Sequence, residues 1–172
     1  MKKISSKLFV ALSGIMALGV SVPAVAQSAN GSGSIKIVRP LTVTKDTDMA
    51  FGTIIRGAGT VALTAADSTV RSVTGDLGVV GLGQTAAKFT LDGEGAQTVS
   101  VNVPATFDMT NSSTSGTLTV TTSKDIGATT TLSSTLGSAG TKVFYIGGSI
   151  PITATTASGA YSGSFTVTAS YN

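Results

Sequence analysis

The chain has no cysteine, no histidine and no tryptophan. Without cysteine there is no disulfide framework, so stability rests on burial and backbone pairing. Without histidine and cysteine, Ser–His and Cys–His nucleophile pairs, the usual zinc ligand sets and the commonest general base are all excluded. Aromatic residues make up 5% of the chain. They are too scattered to draw as a sugar-stacking platform, and core filling is their default role. A carboxylate pair is the remaining enzymatic option. Asp46 with Asp48 and Asp92 with Glu94 are its candidates by proximity, but both pairs fall in expected turns, where acids cap the backbone or face water. The chain therefore reads as a non-enzyme with no cofactor. No metal site is expected either, because Asp92-Gly93-Glu94-Gly95 lacks the spaced oxygen ligands of a calcium loop and reads better as a hairpin turn. Gly81 to Lys88 lacks the Gly-Lys-Ser/Thr ending of a phosphate loop. The sequons at Asn30 and Asn111 fall in expected loops and are commonplace in a chain rich in Ser and Thr.

Residues 1–26 carry the pattern of a secretory signal peptide: Lys2, Lys3 and Lys7, then an apolar run from Leu8 to Val20, then Ala24-Val25-Ala26. That reading places the protein outside the cytoplasm, in the periplasm, at the cell surface, in a fimbrium or free outside the cell. It implies no membrane insertion after cleavage. Three of the 11 Lys and Arg lie in the leader, leaving 8 against 8 Asp and Glu (11 − 3 = 8), so the net +3 belongs to the leader. A neutral remainder offers no basic face to nucleic acid. Cleavage before Gln27 leaves 146 residues (172 − 26), the size of one domain with a core.

Residues 27–34 (QSANGSGS) form a small, polar, flexible tail, and 35–172 form a single domain. Short runs rich in Val, Ile, Thr and Phe alternate with Gly- and Asp-containing turns, and helical periodicity is nearly absent after the leader. The fold class is therefore all-β, an antiparallel sandwich or barrel. Strands are expected over 35–44, 49–55, 60–64, 68–74, 77–83, 87–91, 97–103, 106–109, 116–122 and 142–152, with 123–140 undivided. The 87–91 and 97–103 strands read as a hairpin. The 142–152 strand reads as central and bent at Gly147-Gly148.

The final stretch has the clearest pattern. From Ser162 to Tyr171 it alternates without a break: Phe165, Val167, Ala169 and Tyr171 on one face, Ser and Thr on the other. That is the period of a strand with one apolar and one hydroxyl face.

With Gly159 thirteen positions before the end, Tyr161 after it and Tyr171 penultimate, this ending resembles that of chaperone–usher pilin subunits. Phe51-Gly52 and Tyr161-Ser162-Gly163-Ser164-Phe165-Thr166-Val167-Thr168 are similar to archaic pilins related to spore coat protein U. Over Ile35 to Tyr171 the chain resembles a secreted bacterial family, domain of unknown function 4402. The pieces that carry the likeness are Arg39–Lys45, Phe51–Ile54, Arg71–Gly75 and Phe144–Gly148. The pilin likeness implies an immunoglobulin-like sandwich with a strand missing. Its groove would be lined by Phe165, Val167, Ala169 and Tyr171 and filled by strand addition from another copy or a related subunit. It also implies a periplasmic chaperone and an outer-membrane usher as partners. The expected function is thus an exported structural or adhesive surface subunit. The alternative is a self-complete, monomeric secreted binding domain, with a glycan as one ligand class, whose terminal strand faces a closed core. Residues 27–34 depart from the pilin pattern: a donor extension should alternate apolar residues ahead of the first strand, and this stretch has none to offer. Ile35, Ile37, Leu41 and Val43 must then be either the donor or the domain's own first strand.

Overall fold

The computed structural model describes residues 25–172, so the signal-peptide reading of the leader falls almost wholly outside the described residues. No helix among the described residues is long and apolar enough to cross a membrane. Residues 25–41 carry no regular secondary structure. The folded body, Lys36–Asn172, is an all-β antiparallel sandwich built from thirteen strands. They are β1 (Thr42–Thr47), β2 (Thr53–Ile55), β3 (Gly59–Leu63), β4 (Arg71–Val73), β5 (Gly78–Val80), β6 (Ala87–Glu94), β7 (Thr98–Asn102), β8 (Thr106–Asn111), β9 (Thr117–Lys124), β10 (Thr129–Thr131), β11 (Ala139–Ile152), β12 (Tyr161–Ser162) and β13 (Thr168–Tyr171).

The main sheet runs β1-β6-β11-β9-β8-β12, with β3 also on β11 and β4 on β3. Facing it is a three-stranded sheet, β10-β7-β13, and β2 with β5 makes a separate ribbon. Strand β11 organises the body. Its first half pairs with β6, from Ala139↔Glu94 to Ile146↔Ala87, and its second half pairs with β3, from Gly148↔Leu63 to Ile152↔Gly59. Strand β9 lies along the opposite edge, from Ile146↔Lys124 to Ser149↔Thr121. The change of partner falls at the glycine pair picked out in the sequence. A Cβ on Gly147 would strike the carbonyl of Leu63, and one on Gly148 would sit 2.8 Å from the carbonyl of Thr121. Three backbones converge there, and only glycine leaves them room.

The core lies between the two sheets. Strand alternation sends Ala87, Phe89 and Leu91 of β6, Val99 and Val101 of β7, and Phe144 and Ile146 of β11 inward, where they meet Ile126 and Leu132. Each fully buried large side chain there contributes about 2 kcal/mol by removal from water. Phe89 and Phe144 stack with ring centres 5.6 Å apart.

Three expectations need correction. Residues 87–91 and 97–103 are strands, but not a hairpin: β6 belongs to the main sheet and β7 to the small one. The chain between them arches across the core because alternating apolar residues on both strands must face each other rather than share a sheet. The segment expected as one strand at 49–55 is ordered as a strand only at β2, since Gly52 turns the chain with a φ of 74°. The terminal stretch is two strands rather than one. Strand β12 pairs with β8 (Tyr161↔Asn111) and β13 with β7 (Thr168↔Asn102 to Tyr171↔Val99), so the ribbon passes from one sheet to the other across 163–167. The side-chain alternation survives that crossing, and the pairing partner changes.

Candidate functional site

Two strand edges lie open toward each other, one from each sheet. Among the described residues β1 pairs with β6 alone, and β13 pairs with β7 alone. Strand β13 approaches β1 across the gap. Asn172 donates its backbone N–H to Thr98, so Asn172, Ser170 and Thr168 are the residues bonded to β7. By alternation the N–H and C=O groups of Ala169 and Tyr171 point to the open side. The same odd-numbered residues turn their side chains to the core. Phe165, Val167, Ala169 and Tyr171 pack against the core cluster, but all four stay only half-buried, as do Leu41, Val43 and Met49 across the gap.

The two ends of this gap differ. At the Tyr171 end it is crowded: a Cβ on Gly93 would strike the Tyr171 hydroxyl and meet Leu132 and Leu41 within 3.1 Å. Tyr171 also closes a clasp there. Its hydroxyl accepts the N–H of Glu94 at 2.7 Å and donates to the carbonyl of Arg39 at 2.9 Å. Glu94 is 3% exposed. Its carboxylate accepts the N–H groups of Gly137 and of Arg39, and it pairs with the Arg39 guanidinium at 3.6 Å. A buried carboxylate is tolerable only when paired and hydrogen-bonded in this way. At the Phe165 end the gap widens into a cleft of about 360 Å³. Met49, Phe51, Phe89, Phe107, Met109 and Phe165 line it, and Lys45 and Asp48, paired at 2.5 Å, stand at its mouth. Phe165 lies 4.8 Å from Phe107 and 6.1 Å from Phe89 between ring centres.

Of the residues singled out in the sequence, Phe165, Val167, Ala169 and Tyr171 line this gap together with Leu41 and Val43. The choice left open for 35–44 resolves by division. Leu41 and Val43 belong to the domain's own first strand and its approach, with Val43 registered on Leu91. Ile35 and Ile37 stand outside it, 86% and 81% exposed. Tyr161 also lines the cleft at the wide end of this gap, whereas Gly159 is not among its lining residues. Gly159, at φ 140°, lies against the Asn111 side chain, and the Tyr161 hydroxyl donates to Ala157 at 2.8 Å.

Sequence reasoning missed two residues. Glu94 was read as a turn acid, and it is a buried brace instead. Asn111 was placed in a loop; it ends β8, buried, with its amide donating to Ser158 and its carbonyl accepting from Ser113 and Thr114. Neither had a signal in isolation, because the partners lie dozens of residues away or depend on loop shape. Replacing Tyr171 by Phe leaves the buried N–H of Glu94 unpaired and removes one of the bonds that hold Arg39, that to its carbonyl. It is expected to cost about 1–3 kcal/mol in denaturant unfolding.

Elsewhere, a polar hollow of about 380 Å³ is lined by Thr47, Asp67, Gln84, Lys88 and Tyr145 among others. The Tyr145 hydroxyl donates to Asp67 at 2.7 Å. That hydrogen bond, followed by desolvation and the charges of Asp67, Asp125 and Asp46, holds the phenol above its ordinary pKa of 10.0. No group of three or more metal-ligating side chains occurs among the described residues.

Neither curated proteins nor solved structures give a match to this chain. A family model does match, across 41–171, from the residue that opens the gap to the tyrosine that closes it; the chain belongs to the family described as domain of unknown function (DUF4402).

Proposed function

We propose that the protein is an exported, pilin-like structural or adhesive surface subunit that assembles by adding a β-strand to the open edge of β13. The observation that carries this reading is that, among the described residues, the terminal strand pairs on one side only, with Phe165, Val167, Ala169 and Tyr171 half-buried over the gap. An unpaired edge beside apolar surface invites a further strand: main-chain bonds supply affinity and alternate side chains set the register. Other copies or related subunits are the partners, handled before assembly by a periplasmic chaperone and an outer-membrane usher.

The test uses the purified chain without a chaperone. It is expected to form ladders that resist cold detergent. Ala169→Pro removes the N–H that points to the open side and leaves the β7 bonds of Thr168 and Ser170 in place. This variant is expected to melt close to wild type while its ladders fall at least about tenfold, the loss of one edge hydrogen bond with local strain. A wild-type chain that stays a stable, cooperative monomer at every concentration would sink the reading.

A second reading, a self-complete secreted domain that binds a glycan, draws on the hollow beside Tyr145. Its mixed carboxylate, amide, ammonium and hydroxyl groups suit a polyhydroxylated ligand. Such a domain would bind free sugar as a monomer and form no ladders.

A further inference from the structure

We infer that the β2–β5 ribbon is a contact for an anionic lipid surface, with Leu82 as the side chain that enters it. The contact is peripheral, lying on the leaflet rather than spanning it, and does not depend on strand addition at β13.

The ribbon continues past its two strands and is bulged on one side. Ala50 bridges Thr85, and Thr53 pairs with Val80, so three steps on one strand (53 − 50) face five on the other (85 − 80). The extra residues swell the chain at Gly81-Leu82-Gly83. Gly81 has a φ of 64° and Gly83 a φ of 128°, backbone that glycine adopts freely, and a Cβ on either would meet nothing within 4 Å. The swelling stands clear of the body on that side. Arg71 holds it in place. Its guanidinium donates to the carbonyl of Phe51 at 2.9 Å on one strand and to that of Gly81 at 2.7 Å on the other. What this local structure presents is Leu82, 90% exposed.

Lone exposed leucines are ordinary, and Leu136 is one. Leu82 has company. Ile55 and Val80 share one face of the ribbon, Val79 lies on the other, and all three are left exposed.

Two features select the partner. The first is shape. The apolar group is a knob on a ribbon of two three-residue strands, whereas a stable protein–protein contact needs about 20–30 residues a side with matching relief. A fluid leaflet needs no matching relief, because acyl chains close around whatever enters. The second is charge. Neither 49–66 nor 77–91, the stretches that carry the ribbon, contains Asp or Glu. Asp76 and Arg56 flank the end of the ribbon away from Leu82. At the Leu82 end Asp48 is engaged by Lys45, which leaves Arg71 with no carboxylate partner among the described residues. An uncompensated cation behind an apolar knob suits a layer of anionic headgroups over acyl chains. One leucine and one arginine make a weak anchor, so binding is reversible and strengthens when many copies share a surface.

The chain has no tryptophan, so an introduced one is the sole indole reporter. Leu82→Trp and Leu136→Trp are purified after export, so that the leader is absent. Each is mixed with vesicles of phosphatidylcholine and phosphatidylglycerol in equal parts. Leu136 precedes β11, whose first residue pairs with Glu94 at the end of β6 remote from Thr85 and the bulge. The emission of Leu82→Trp is expected to shift to the blue and to be quenched by brominated acyl chains. Its binding should weaken about fivefold on phosphatidylcholine alone, the worth of one cation at an anionic surface. Leu136→Trp should stay unshifted and unquenched. Leu82→Ser should melt as wild type yet float with the mixed vesicles at least about tenfold less, the weight of one leucine moved out of water. An unshifted Leu82→Trp would overturn the inference. Equal quenching at the two positions would reduce the contact to general adsorption and overturn it as well. A blue shift that grows with protein concentration, without vesicles, would put a second copy in the place of the lipid, with the same consequence.

Discussion

Phe144→Ala is expected to remove about 4 kcal/mol from the stability of the folded body, measured as a shifted midpoint with an unchanged slope in denaturant. Phe144 is fully buried, stacks on Phe89, and sits in the half of β11 that joins β6 on one edge to the core beneath. Alanine would lose the transfer energy of the ring and leave a void that neighbours from two sheets cannot close, since each is held by its own ladder. A single domain of this size has about 5–15 kcal/mol in total, so the melting temperature should fall by on the order of 10 °C. Val143, one residue away, turns outward and is 41% exposed. Val143→Ala should change stability by less than about 1 kcal/mol. The measurement belongs in the Ala169→Pro background, where added strands do not contribute by mass action. Equal losses for the two variants would show that the alternation along β11 has been assigned to the wrong faces.

That alternation is what made so much of the fold legible. Val61 and Leu63, Phe89 and Leu91, Val99 and Val101, and Phe144 and Ile146 each repeat every second residue, and each pair is buried as its sequence implies. The glycine pair at 147–148 marked a special position for a local reason, the absence of a Cβ where backbones meet. Pairing partners were not legible. Asp92-Gly93-Glu94-Gly95 has hairpin composition, yet Glu94 is drawn out of the turn by Arg39 and Gly137, and the chain crosses to the other sheet. The division of the terminal ribbon between β8 and β7 was hidden for a similar reason. Side-chain period records which face is apolar and says nothing about which neighbour supplies the hydrogen bonds.

The gap was legible in half. Its lining was visible as Phe165, Val167, Ala169 and Tyr171, because those residues alternate strongly. The shape of the gap was not visible, because its narrow end depends on Leu41 and Leu132 and its wide end on Met49 and Phe107, which come from other elements.

Phe165→Asp should have the largest effect on both folding and assembly, and comparison with Phe165→Ala separates the two. Phe165 sits where the ribbon crosses between sheets, with no ladder of its own among the described residues, held by its contacts with Phe107 and Phe89. It is half-buried, so alanine gives up only part of a buried ring's contribution, about 1–2 kcal/mol, and the monomer should still fold. Aspartate adds a charge facing aromatic rings and the methionines of the cleft, with Lys45 already engaged by Asp48. Its unpaired burial costs a further few kcal/mol, enough to unseat the ribbon and prevent soluble accumulation. The alanine variant should therefore melt only a few degrees (roughly 3–5 °C) below wild type yet assemble poorly, because it strips the wall against which an added strand would pack. Normal yield and normal melting of Phe165→Asp would mean that this side chain faces solvent, and the apolar face of the terminal ribbon would have to be reassigned.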